Sequence, residues 1–211
     1  TDPSVLNFNK KKKVFYIPNP VDVSFENLKV YENKNPEYDL FFAMSHGVHR
    51  GRLKRGKFDQ REIFLKKLIK NNPNKKFDFY GFDNTEPLWG DDFKKQVYKS
   101  KMALNLSQGK PLKYYSSDRI AQLIGNGLLT FIDKKTKLDN FFNKNEVIFY
   151  SSIKDLAEKI NHYKSDDKSR VKIAKNGRKK YFDLFECQKV ADYIISKSFN
   201  RGISKKLKWM D

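Results

Sequence analysis

Arg119-Ile-Ala-Gln-Leu-Ile-Gly-Asn-Gly127, followed directly by Leu128-Leu-Thr-Phe-Ile-Asp133, is the stretch that decides the fold. The first part reads as the body of a helix over about 116–125 that stops at Gly127, and Leu128–Ile132 reads as a buried strand. On the other side, Met102–Leu106 is a second apolar run, joined to the helix by the loop Ser107–Tyr115. Strand, loop, helix and strand in that order make one parallel βαβ unit.

The same alternation extends in both directions. Upstream, Val14–Ile17 reads as a short strand stopped by Pro18-Asn19-Pro20, Asp39–Ser45 (DLFFAMS) as a buried strand, and Phe77–Tyr80 as a strand ending at Gly81. Asp59 can cap a helix to about Asn71, whose stripe is Ile63, Phe64, Leu65, Leu68 and Ile69, with Pro73 past its end. A second helix is expected from about Asp91 to Ser100. Downstream come a short helix near 136–142, a strand at Val147–Tyr150, and helices near 152–163, 166–184 and 187–199. The expected fold class is therefore α/β: a Rossmann-like, doubly wound, mostly parallel sheet with helices on both faces. Ligands of such sheets bind outside the carboxyl ends of the strands, which directs attention to the loops after Ser45 and after Leu106.

Composition agrees with a folded domain. The 211 residues can hide roughly 70% of the unfolded surface, and the charged residues, 33% of the chain, are dispersed among apolar runs. Aromatics are 15%, so the core is expected to be rich in Phe and Tyr. The net charge of +19 attracts anions such as nucleic acid, acidic lipid or phosphorylated small molecules. Lys outnumbers Arg by 36 to 8. A nucleic-acid reader would more usually use Arg, and Lys spread evenly beside many Asn is equally explained by an AT-rich genome. There is no zinc-finger spacing, ribonucleoprotein aromatic motif or Gly-X-X-Gly clamp, so nucleic acid is not the expected partner.

Cys187 is the only cysteine, which excludes an internal disulfide and a cysteine zinc site and points to a reducing compartment, hence the cytoplasm. No run of about 18 apolar residues occurs. The run Lys10–Lys13 either touches the acidic inner face of a membrane peripherally or is simply solvated. The chain starts at Thr1 rather than Met and is expected to be a piece of something longer.

The loop-to-helix junction Ser107-Gln-Gly-Lys-Pro-Leu-Lys-Tyr-Tyr-Ser-Ser-Asp-Arg119 concentrates the groups that phosphate needs. Ser116 or Ser117 can cap the helix, and Arg119 can grip a diphosphate with two bonds. The alternative is that the serines only cap and Arg119 pairs with Asp118 or another acid. His46 and His49 in the basic loop lack a third ligand, so no metal is expected. Trp89-Gly90 either stacks on a base or sugar or packs its loop onto the domain.

At Arg119–Asp133 the sequence resembles the signature helix and strand of group 1 glycosyltransferases of GT-B architecture, in particular the spore-maturation-type branch. Leu138–Phe142, Asn145–Tyr150, Ser152–Ile160 and Arg170–Tyr181 continue the resemblance in order. Val14-Phe-Tyr-Ile-Pro-Asn-Pro-Val-Asp22 resembles the element joining acceptor and donor domains, and Gly51-Arg-Leu-Lys-Arg-Gly-Lys57 resembles the loop whose Arg and Lys contact the donor diphosphate.

The resemblance implies a donor-binding half of a GT-B enzyme: residues 1–22 the end of the acceptor domain and linker, 23–186 the nucleotide-sugar-binding domain, and 187–211 a helix and tail that cross back to an absent N-terminal domain. It implies transfer of a sugar from a nucleotide diphosphate to a glycan or lipid-linked acceptor, with the nucleotide sugar as substrate and no cofactor. Arg52 and Lys57 take the catalytic roles at the diphosphate. Gly81, Ser107, Gly109, Lys110, Tyr115, Ser116, Ser117, Asp118, Arg119 and Gln122 form the donor site, with Tyr80–Phe82 near the base or sugar. One departure is plain. Gln122 and Tyr114 stand where the family's acid pair falls, so a glutamine, or Asp118 one turn earlier, faces the ribose. A basic nucleic-acid-binding module and a degenerate, non-catalytic glycosyltransferase-like interaction domain are the alternatives. If the last helix crosses to an absent domain, its apolar residues Val190, Tyr193, Ile194 and Phe199 are partly exposed here.

Overall fold

A computed structural model describes residues 1–6, 13–45, 59–115, 117–203 and 206–210. Five strands, β1 (Tyr38–Ala43), β2 (Phe77–Tyr80), β3 (Ser100–Asn105), β4 (Leu129–Asp133) and β5 (Ile148–Tyr150), form one sheet in the order β2-β1-β3-β4-β5. Every pairing is parallel. The helices are α1 (Gln60–Lys70), α2 (Gly90–Tyr98), α3 (Arg119–Gly125), α4 (Ile153–Ser165), α5 (Asp167–Phe185) and α6 (Cys187–Ser198). The expected doubly wound fold is what forms.

Strand alternation feeds cores on both faces of the sheet. Leu40, Phe42, Met102, Leu104, Leu129 and Phe131 face Leu65 and Leu68 of α1 and Leu156 and Ile160 of α4. Phe41, Ala43 and Ala103 face Val97 of α2 and Leu123 of α3. Both faces are covered, which is why the strands read as continuous apolar runs rather than alternating ones. As expected, aromatics carry much of the core, with Phe41, Phe42, Phe131 and Tyr181 fully buried. After α3 the chain turns at Gly127 with φ 84, a left-handed conformation that glycine adopts without penalty.

Four expectations need correction. Val14–Ile17 forms no strand: Tyr16 is drawn out of any ladder by stacking on Phe141 and by donating its hydroxyl hydrogen bond to the Tyr114 carbonyl at 3.3 Å. The segment expected as a helix over 136–142 is two short 3-10 turns, Lys134–Thr136 and Leu138–Asn140, separated by Lys137 in the left-handed region. The helix placed at 116–125 begins only at Arg119, and its cap is Asp118, whose Oδ1 accepts from the Arg119 amide at 3.0 Å. Last, Val190 and Tyr193 of α6 are buried, because residues 207–210 fold back over them: Trp209 packs on Tyr193 with ring centroids 5.0 Å apart and donates its indole N–H to the Leu184 carbonyl at 2.7 Å. Ile194 and Phe199 are exposed, as expected. Among the described residues no helix is long and apolar enough to cross a membrane.

α5 runs past α3 and the β4–β5 connection, and Gly177 sits at that crossing. A Cβ there would run into the Glu146 carbonyl oxygen. Alanine normally gains up to about 1 kcal/mol over glycine inside a helix, but forced overpacking against backbone costs about 1–3 kcal/mol. The clash should win. Gly177→Ala is expected to lower the urea midpoint at unchanged slope, whereas an unchanged or higher midpoint would show that α5 shifts freely.

Candidate functional site

The sheet order places a split at one position. From β1 the chain passes through α1 to β2 on one side, then through α2 to β3 on the other, so α1 and α2 lie on opposite faces and the carboxyl ends of β1 and β3 open between them. A cleft of about 550 Å³ occupies the α2–α3 side of that opening. Its floor is Ala43, Met44 and Ser45 at the end of β1; one wall is Leu88, Trp89, Gly90 and Phe93 at the start of α2; the other is Asp118, Arg119, Gln122 and Asn126. Phe25 and Glu26 of the entering segment close the end. A smaller cavity of about 160 Å³ lies on the α1 side, lined by Arg61, Phe64, Asn105, Ser107, Gly109, Asp133 and Thr136.

Arg119 stands at the centre. It is 9% exposed, its Nη1 donates to the Leu106 carbonyl at 3.0 Å, and its guanidinium lies 4.9 Å above the Phe42 ring. Among the described residues no carboxylate comes within ion-pair distance of it. Burial, and then the second guanidinium of Arg61, push its pKa down to about 10, against the opposing pull of Asp118. Arg61 is satisfied: its Nε and Nη2 both reach the fully buried Asp59, the shortest contact being 2.6 Å. Asp59 also caps α1 through the Arg61 amide. Sequence reasoning saw that cap and missed that the same pair sets a second guanidinium beside Arg119.

The remaining predicted residues separate clearly. Asp118, Arg119 and Gln122 line the large cleft, and Ser107 and Gly109 line the small one. Lys110 is exposed beside it. Tyr115 is half-buried and close enough to Arg119 to influence its charge. The Ser117 carbonyl accepts from the Ile120 amide, while its hydroxyl is buried without a partner among the described residues. Gly81, at φ 68, turns the chain after β2 but is not in either lining. Tyr114 is spent on packing with Phe141 and Tyr16. Arg52, Lys57 and Ser116 lie outside the described residues, as do His46 and His49. Among the described residues no group of acids, histidines and cysteine could hold a metal.

The model of the glycosyl transferase-like family matches residues 59–196, the span that contains α1, the βαβ unit and both cavities. The chain belongs to that family. Among solved structures, this glycosyl transferase-like chain is similar to TarM, with a TM-score of 0.54 and 12% identity over 80% of this chain and 36% of TarM. It is also similar to sucrose-phosphate synthase from Thermosynechococcus elongatus (0.48, 13%, 67% and 34%) and to Anabaena HepE in complex with UDP (0.49, 13%, 67% and 38%). At such identities the TarM likeness shows the fold alone. The chain spans about a third of the length of these structures, 34% to 38%. A search of curated proteins returned no match.

A buried cation lacking a carboxylate partner costs stability in the ligand-free protein. Arg119→Met keeps the stem and removes the charge, giving up the bond to Leu106 and the guanidinium's place over the Phe42 ring. Its thermal midpoint is expected to equal or exceed that of the native protein. A fall of roughly 5 °C, more than 1 kcal/mol at this length, would show that Arg119 is a structural strut.

Proposed function

We propose that this domain holds the nucleotide-diphosphate part of a sugar donor and works in transfer of that sugar to a glycan or lipid-linked acceptor. The observation that carries the reading is the cleft at the β1–β3 split with a buried, carboxylate-free Arg119 on its wall. It adds to the family membership of residues 59–196. In the reaction the bond between the anomeric carbon and the diphosphate breaks, the acceptor oxygen bonds to that carbon, and the acceptor proton leaves. Negative charge grows on the departing diphosphate, and fixed positive groups already in place stabilise it without rearranging. Arg119, with Arg61 reinforcing the local field, supplies that from the described residues. Arg52 and Lys57, which follow β1 in the sequence and lie outside the described residues, are assigned to the same phosphates.

The nucleoside fits the larger cleft, where Trp89 and Phe93 offer ring faces, with Gln122 and Asp118 toward the ribose. The sugar fits the smaller cavity, where Asn105 Oδ1 is buried without a partner among the described residues and Asp133 and Ser107 stand nearby. Acceptor binding is assigned to an N-terminal domain, toward which 1–22 and 187–211 lead. The spore-maturation-type branch, polysaccharide synthesis and a place at the cytoplasmic face of the membrane are parts of the same proposal, as is activity without a metal. One observation favours a second reading, a binding domain without catalysis: Gln122 stands where relatives carry a glutamate.

Titration with uridine, guanosine and adenosine diphosphates tests the proposal. Trp89, 67% exposed at the mouth of the cleft, should change its fluorescence on binding, while Trp209, at 2%, reports on the fold. One nucleotide is expected to bind, and Arg119→Met to weaken it tenfold or more, as loss of charge-assisted bonds to phosphate implies. A folded protein that answers to none of the three would contradict the reading.

A further inference from the structure

Glu26, a charged residue, belongs to the segment that enters the domain ahead of β1. Its side chain is nonetheless buried, 9% exposed, and lines the end of the large cleft beside Gln122 and Asn126. Several contacts fix it there. Its Oε2 accepts from the Asp22 amide at 2.9 Å, its amide donates to the Asp22 carbonyl at 2.8 Å, and its carbonyl accepts from Arg178 Nη2 of α5 at 3.1 Å. Helix α3 is cut away to admit it: a Cβ at Gly125 would lie 2.7 Å from the Glu26 Cγ. The glycine that ends the signature helix thus makes room for a carboxylate from elsewhere in the chain.

Its neighbours are less free to receive a ligand. The side chain of Asn126 is used at both ends, Oδ1 taking the Leu28 amide at 3.1 Å and Nδ2 giving to the Gln122 carbonyl at 2.8 Å. Asp118 accepts one amide bond in capping α3 and sits on the Arg119 side of the cleft, next to the guanidinium assigned to phosphate. A carboxylate offers about four acceptor sites, and one bond from Asp22 leaves most of them open. Burial, and with it the charge of Asp22, raises the Glu26 pKa, while the Asp22 amide, Lys94 and its own amide pull the other way.

We infer that Glu26 accepts the ribose hydroxyls of the bound nucleotide, so that a carboxylate from the entering segment does what Gln122 on α3 cannot. The inference rests on the donor-site reading. The vicinal diol of ribose brings two O–H donors, which is the complement of a carboxylate with open lone pairs. A residue that enters from the segment before β1 also ties nucleotide binding to that segment, which Arg178 and Gly125 hold in place.

The test compares each ribonucleoside diphosphate of the panel with its 2′-deoxy counterpart on the full chain, by calorimetry. Glu26→Gln keeps an acceptor for the Asp22 amide and removes the charge. The native protein is expected to prefer the ribose form about tenfold, and Glu26→Gln to weaken the ribose form by a similar factor while changing the deoxy form less than about twofold. Gly125→Ala, which crowds Glu26 from the helix side, should erode the same preference with the carboxylate still present. Equal losses for both forms, or no loss for either, overturn the inference and leave the donor site standing. A native protein that binds no nucleotide overturns both.

Discussion

Between β1 and β3 the chain reverses the direction in which it lays down strands, and the site follows from that reversal. Because α1 and α2 must cover opposite faces, no helix can close the carboxyl ends of these two strands. What is left open is a cleft whose floor is the end of β1 and whose walls are α3 and the start of α2. The sheet is parallel throughout, so every strand presents its carboxyl end at the same edge, and β4 contributes Asp133 to the same region. A parallel sheet buried on both faces makes this edge the place where polar chemistry can be mounted without disturbing the core.

Into that opening the chain places two guanidinium groups of unequal standing. Arg61 is paired with a buried carboxylate, Asp59. Arg119 has a backbone carbonyl and an aromatic face, both poor substitutes for an anion. A protein selected for stability alone would fill this position with an apolar side chain, since burying an uncompensated charge is unfavourable. Retaining it makes sense where an anion arrives from outside and supplies the missing half of the pair. The same asymmetry holds on the opposite sign at Glu26, a largely buried carboxylate held by the Asp22 amide with no cation paired to it among the described residues.

Much of this was legible in the sequence, and what was not has identifiable causes. Five strands and the main helices followed from short apolar runs separated by turn residues, because burial on both faces leaves little ambiguity in such runs. Val14–Ile17 misled for the same reason: its residues suit a strand, but Tyr16 finds ring partners at Phe141 and Tyr114 before any strand edge. The burial of Val190 and Tyr193 depended on Trp209, a contact made by a tail with no periodic pattern. At the site, Arg119, Asp118 and Gln122 were found because they sit on one contiguous motif. Glu26 was hidden, since its partners Gly125 and Arg178 lie far away in sequence. The single cue was an aromatic-acid pair, Phe25-Glu26, in an otherwise polar stretch.

The central claim is that the cleft at the β1–β3 split is where a nucleotide diphosphate binds. Mapping of backbone amide shifts by nuclear magnetic resonance, on titration with the tightest-binding nucleotide of the panel, addresses it most directly. The account predicts that the largest changes fall together on residues 26, 43–45, 89–94 and 118–126, with the lysine-rich surface of α5 unmoved. Changes spread over the lysines of α5 and α6, fading with added salt and leaving Gln122 and Asn126 in place, would contradict it and reduce the +19 charge to a non-specific attraction for phosphate.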